Sequence, residues 1–217
     1  IMSEGVFSMD GDQAPCQQLA ELAAQSGNWL MLDDAHGIGV LGEQGRGTLS
    51  QQGVAPDSIH IRMATFGKAL GVAGAFVGGS RQLTDYLVNF ARDYVYSTHM
   101  PPAQAHAISA AVAWVKQADD ERAHLQALIR QFKAGIAELG LVAGESSTAI
   151  QPLIIGDADK AVAVANKLRE RGLWVTAIRP PTVPKGTARL RITLTAAHQL
   201  SDVSLLLNEL KECVTDA

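Results

Sequence analysis

Cysteine is nearly absent: Cys16 and Cys213 are the two in 217 residues, far apart and in no metal-ligand spacing. A disulfide framework or a structural zinc therefore has no support. The chain also lacks any run of lysines or arginines and carries a net charge of -4, so the footprint of a nucleic-acid or membrane-surface binder is missing. The ligand expected is a small molecule. No apolar stretch approaches the roughly 18 residues of a membrane span, and no basic segment followed by a hydrophobic one stands at the start. A reduced, cytoplasmic setting is the expectation. Internal repeats and low-complexity linkers are missing too. What remains, 47% hydrophobic and 18% charged, is enough for one large or two small globular domains.

Residues 1–10 read as the end of a strand running into a loop, as in a chain that begins mid-domain, with functional residues missing ahead of Ile1. Pro15 to Gln25 has apolar residues at helical spacing (Leu19, Leu22, Ala23) and closes at Ser26-Gly27-Asn28, before a strand at Trp29 to Leu32. Further short strands are expected at Ile59 to Ala64 and Gly74 to Gly78, then a helix from Arg81 to Asp93. This alternation predicts an α/β domain with a largely parallel sheet covered by helices. Pro102 suits the first position of an alanine-rich helix reaching about Gln117, and a second long helix spans Asp119 to Leu139. Gly140 and Gly144 break the pattern. Strands then follow at Ile150 to Ile155, Trp174 to Ile178 and Arg189 to Leu194, with helices at Asp157 to Arg171 and Leu200 to Cys213. The organisation expected is a larger domain over 1–100, connecting helices over 101–139 and a smaller α/β domain over 140–217.

Chemistry concentrates at Thr65-Phe66-Gly67-Lys68, where one lysine stands among Gly67, Ala69, Gly71 and Gly74. A lysine acting as a nucleophile needs a desolvated pocket, and small neighbours let a cofactor approach the backbone. The competing reading is a phosphate-cradling loop, but the spacing of a Walker-type nucleotide site is not met. Upstream, the Trp29 to Leu32 strand ends in Asp33-Asp34-Ala35-His36-Gly37. Acids and histidines also gather at strand ends because loops are polar. An aspartate facing a pyridine nitrogen, however, would keep it protonated and make the ring an electron sink, and His36 could reach the ring hydroxyl. Lysine, carboxylate and histidine together suggest pyridoxal phosphate (PLP). Ser8 is expected at a strand end on the same side of the sheet, where ligands of open α/β sheets collect. Tyr96-Ser97-Thr98 sets hydroxyls before a helix start, either for a phosphate or as an ordinary turn and cap. Arg179 lies in a proline-bounded segment, while Arg189 and Arg191 share one face of a strand. Their guanidinium groups suit carboxylates, although Arg189 reads better as solvated.

S-E-G-V-F-S-M-D-G-D at 3–12, D-D-A-H-G-I-G at 33–39, T-F-G-K at 65–68, Y-S-T at 96–98 and R-L-R-I-T-L-T-A-A-H at 189–198 together resemble the α-oxoamine synthases. These are PLP enzymes with the type I aminotransferase-like transferase fold, and the resemblance covers essentially the whole chain. It implies that Lys68 binds the cofactor covalently and then acts as base. Asp33 would pair with the pyridine nitrogen, Ser8 and His36 with the ring hydroxyl region, and Thr65 with the phosphate. Ser97 and Thr98 would reach the phosphate of the other subunit of a homodimer. Arg191 would take the amino-acid carboxylate, and Arg179 and Thr182 the acyl substrate. Within the family, I-R-P-P-T-V-P at 178–184 resembles the member that condenses L-alanine with a pimeloyl thioester and releases carbon dioxide. Members using glycine or serine, or a non-catalytic remnant that dimerises or binds a partner, are the alternatives. The resemblance also implies that the amino-terminal half of the fold is missing, leaving an inactive chain with exposed strand edges and apolar surface.

Overall fold

The computed structural model describes residues 1–215. The chain divides into two compact units, Ile1–Phe7 with Gln13–Asp119, and Ser8–Asp12 with Asp120 onward. The first unit contains β1 (Met2–Glu4), α1 (Cys16–Ser26), β2 (Met31–Asp33), α2 (Thr48–Gln51), β3 (Ile61–Thr65), β4 (Ala75–Gly79), α3 (Arg81–Phe90), α4 (Arg92–Val95) and α5 (Pro102–Val115). Its four strands pair in the order β1-β2-β3-β4. The first three run parallel, but β4 returns antiparallel to β3, with Thr65 opposite Ala75. The sheet is thus less uniformly parallel than the helix–strand alternation implied, because residues 66–74 form a hairpin connection with no helix in it.

Helix α1 buries Cys16, Ala20 and Ala23, with Leu19 partly covered. These residues meet Leu30, Leu32, Leu49, Val54 and Ile59 in one apolar cluster. Leu22, expected on that face, is 52% exposed, since the contact stripe follows positions 16, 20 and 23 instead. The helix stops at Gly27, whose positive φ of 64° closes the last turn through N–H bonds to the Ala23 and Ala24 carbonyls. Strand β2 begins two residues after the expected Trp29, whose exposed ring stacks on His60. The expected single helix at 81–93 is broken at Ala91 into α3 and α4. No residue of α3 or α4 is buried, and α5 buries only Val115. Tyr86, Phe90, Tyr94 and Trp114 consequently lie open, the apolar exposure that was expected.

The second unit consists of α6 (Asp119–Glu138), β5 (Ile150–Gly156), α7 (Ala158–Glu170), β6 (Thr176–Ile178), β7 (Ala188–Thr193) and α8 (Leu200–Thr215). Its sheet is antiparallel, in the order β5-β7-β6. Leu153, Leu190 and Leu168 are completely buried, as are Phe132, Ile136 and Leu210 from α6 and α8. Gln131 of α6 donates to the Leu200 carbonyl and the Ser204 hydroxyl, which ties the start of α8 down. Trp174 was expected to open β6 but lies outside it, 81% exposed, with the Arg169 guanidinium over its ring. Among the described residues, no helix is long and apolar enough to cross a membrane.

Candidate active site

Because β2 and β3 are parallel neighbours, their carboxyl ends open on one edge of the sheet, the edge where ligands gather in open α/β folds. Asp33 is the last residue of β2, and its Oδ1 accepts the Ala35 N–H at 2.9 Å. Thr65 is the last residue of β3; its hydroxyl is buried and has no hydrogen-bond partner. Beyond these ends, Lys68 Nζ lies 2.9 Å from His36 Nε2. An ammonium can only donate, so with Lys68 charged the imidazole accepts at Nε2 and carries its proton on Nδ1.

Both loops at this edge are held from below. In the 66–74 connection, Phe66 N–H bonds to the Gly74 carbonyl, Val72 N–H to the Phe66 carbonyl and Gly71 N–H to the Lys68 carbonyl. Gly71 turns with a φ of 68°, where a side chain would be strained. Around Gly67 and Gly71 nothing lies within 4 Å of where a Cβ would stand, so the backbone beside Lys68 can be approached closely. The 34–48 loop is pinned by Asp34, a residue to which the sequence assigned nothing. Its Oδ2 accepts the Thr48 N–H at 2.9 Å and its Oδ1 the Thr48 hydroxyl at 2.5 Å. Burial pushes the Asp34 carboxyl above its ordinary range, against the lowering effect of the two Thr48 bonds and with a smaller upward push from Asp33. Gly37 is required here, because a Cβ would run into Asp34 Oδ1 and Thr48 Oγ1.

Ser97 and Thr98 are exposed in the turn before α5. Neither caps that helix, which starts at Pro102 behind Pro101 with no side-chain bond to its first N–H groups. Of the ordinary turn-and-cap alternative, the turn is present and the cap is not.

The remaining candidates belong to the second unit. Strand β1 stops at Glu4, and Ser8 is grouped with the second unit, not at a strand end of the first sheet as expected. Its carbonyl accepts from Arg191 Nε at 2.7 Å. Arg191 is half-buried, donates also to Thr193 Oγ1 at 3.1 Å, and has no carboxylate partner among the described residues. Partial burial lowers its pKa from the ordinary guanidinium value, and its Nη1 end stays open to solvent and to a carboxylate ligand. Arg189 corrects the expectation of a solvated side chain. It is buried, donates to the Thr187 carbonyl and forms an ion pair with Asp10. Arg179 and Thr182 are exposed in the loop after β6, where the Thr182 N–H bonds to the Arg179 carbonyl. Beside that loop an open cavity of about 400 Å³ is lined by Gly156, Asp157, Ala158, Pro180, Lys185 and Gly186. Lys185, the residue directly after the 178–184 segment, was not singled out in the sequence.

8-Amino-7-oxononanoate synthase of Aeromonas salmonicida (strain A449) is 67% identical over 213 residues, covering 98% of this chain and 54% of that protein. Among solved structures, Sphingomonas wittichii serine palmitoyltransferase matches with a TM-score of 0.94 at 32% identity, over 99% of this chain and 54% of that one. A high-resolution serine palmitoyltransferase structure with PLP as internal aldimine matches with a TM-score of 0.94 at 28% identity, again over 99% and 54%. The chain spans about half the length of the curated relatives it matches. Residues 1–210 match the family described as aminotransferase class I and II. On that match, the chain belongs to the class I and II aminotransferase family.

Proposed function

We propose that this chain is the lysine-bearing part of a PLP-dependent 8-amino-7-oxononanoate synthase. The net reaction joins L-alanine to a pimeloyl thioester, forming 8-amino-7-oxononanoate and releasing carbon dioxide and the free thiol. The observation that carries this is the strand-end cluster: Lys68 Nζ beside His36 Nε2, with Asp33 and the partnerless Thr65 hydroxyl at the neighbouring strand ends. A buried hydroxyl without a partner fits a phosphate acceptor, since leaving it unbonded costs about 1–3 kcal/mol. The open backbone around Gly67 and Gly71 fits a bulky group next to Lys68.

PLP, when bound, supplies an electron-withdrawing pyridine ring that eases loss of a proton from the α-carbon of the amino acid. The chain's residues do the rest. Lys68 would hold the cofactor through Nζ and, as a neutral amine, would take the α-proton of L-alanine. Asp33 keeps the pyridine nitrogen protonated. Ser8 and His36 serve the ring hydroxyl region, and Thr65 donates to the phosphate. Ser97 and Thr98 reach the phosphate of the second subunit in a cytoplasmic homodimer with shared active sites. Arg191 takes the alanine carboxylate, and Arg179 and Thr182 handle the acyl chain. L-Alanine is favoured over serine because the chain is 67%, 66% and 56% identical to 8-amino-7-oxononanoate synthases of two Aeromonas species and Serratia proteamaculans.

The test is thiol release from pimeloyl thioester by a full-length protein carrying this chain, with alanine, glycine or serine as co-substrate. Release with alanine and little with the other two is expected. Preference for glycine or serine would overturn the substrate assignment.

A further inference from the structure

The M-D-G-D stretch at residues 9–12 has no part in the function described above, yet its side chains and backbone are anchored to β7 and to residues 146–148. Asp10 forms an ion pair with Arg189, whose side chain is only 7% exposed. The next carbonyl, that of Gly11, accepts both the Ser146 hydroxyl at 3.0 Å and the Thr148 hydroxyl at 3.1 Å. Those two hydroxyls are buried, and Gln151 Nε2 ties the Thr148 carbonyl at 2.7 Å behind them. Such a buried, mutually bonded set holds a backbone segment in one place.

The same strap touches Arg191. Arg189 and Arg191 point to one face of β7 because side chains alternate along a strand. Ser8 and Asp10 are likewise two residues apart, so the strap meets both guanidinium groups at matching spacing: the Ser8 carbonyl on Arg191 and the Asp10 carboxylate on Arg189. Pairing Asp10 with Arg189 also leaves Arg191 without a carboxylate partner among the described residues. With its Nε–H committed to Ser8 at 2.7 Å and one Nη1 hydrogen to Thr193 at 3.1 Å, Arg191 can offer a carboxylate ligand only its remaining Nη hydrogens, end-on. The side-on pairing through Nε and Nη is closed.

We propose that Asp10 is a positioning residue for Arg191, acting through the anchored Ser8–Asp12 strap to fix the end-on presentation of the guanidinium to the amino-acid carboxylate. This rests on the assignment of Arg191 as the carboxylate-binding arginine. Asp10 itself touches no reactant.

In a full-length protein carrying this chain, Asp10→Asn should raise KM for L-alanine roughly tenfold with kcat and the thioester KM little changed. Arg191→Lys should also raise the alanine KM. Added to Arg191→Lys, Asp10→Asn should then contribute less than about twofold, because the fork it positions is gone. Asp10→Glu, which retains the charge, should recover part of the loss. On the 217-residue chain, exchange of the Arg191 Nε proton, followed by NMR, should accelerate in Asp10→Asn. If Asp10→Asn does not fold, Thr148→Val loosens the same strap at Gly11 and carries the same expectations. An alanine KM unchanged by the strap variants, or raised equally with and without Arg191, overturns the positioning role. An alanine KM unchanged by Arg191→Lys overturns instead the carboxylate assignment on which it rests.

Discussion

Thr48→Val removes one hydroxyl from the support beneath the candidate site and should measurably destabilise the first unit. Thr48 is fully buried, and its hydroxyl donates to Asp34 at 2.5 Å while its backbone N–H holds the other carboxylate oxygen. Valine keeps the shape and the backbone bond. What is lost is one hydrogen bond to an ionised group, about 1.5–3 kcal/mol. At about 2 kcal/mol, and about 2–4 °C per kcal/mol for a chain of this size, Tm should fall by about 4–8 °C. The loss should depend on pH. Burial holds the folded-state pKa of Asp34 above its unfolded value, so the native state keeps the proton longer, and stability falls as pH rises from the unfolded value through the folded one. The Thr48 hydroxyl opposes that rise; without it the folded pKa climbs further. The variant therefore approaches the parent in acid, where a bond to a protonated carboxyl of about 1 kcal/mol is all that is missing, and falls furthest behind at neutral pH. Urea unfolding at pH 7 and pH 4 measures both gaps. A gap below about 0.5 kcal/mol at pH 7, or one at least as large at pH 4, would refute the assignment of Asp34 as a partly buried anchor stabilised by Thr48.

Gly37→Ala should destabilise the same loop by about 1–3 kcal/mol, because the added methyl meets Asp34 and Thr48 side-chain oxygens. Thermal unfolding checks this, and the effect should not add simply to that of Thr48→Val. Phe132→Ala empties a fully buried position in the second unit and should cost about 3–5 kcal/mol. Hydrogen exchange should show the loss concentrated in α6, α8 and the β5-β7-β6 sheet. Cys16 is buried, with its thiol pushed up to about 11 chiefly by that burial and then by the Asp34 charge. It should remain unmodified by a thiol reagent at pH 8 in the folded chain and react on unfolding; rapid native-state reaction would contradict that burial.

Much of the candidate site was legible because its parts lie close in sequence to strand ends. Asp33 and His36 follow one apolar run and Thr65 and Lys68 another, and two parallel neighbouring strands bring such ends to one edge. The antiparallel return of β4 was not legible: Gly67, Gly71 and Gly74 mark a turn without saying whether a helix or a hairpin follows. Strand boundaries slipped at Trp29 and Trp174, large apolar side chains that stay exposed against His60 and Arg169. The burial of Arg189 depends on Asp10, 179 positions away, a pairing no local pattern reveals. Asp34 was overshadowed by Asp33 for a similar reason, since its partner Thr48 sits across a loop rich in glycine.

That Lys68 is the residue that binds PLP is tested most directly by covalent trapping. A full-length protein carrying this chain is incubated with PLP, reduced with borohydride and digested, and the modified peptide is located by mass spectrometry. The pyridoxyl group should lie on Lys68, with the visible absorbance of the bound cofactor lost in Lys68→Ala. A pyridoxyl group on another lysine, or an undiminished band in Lys68→Ala, would contradict the account.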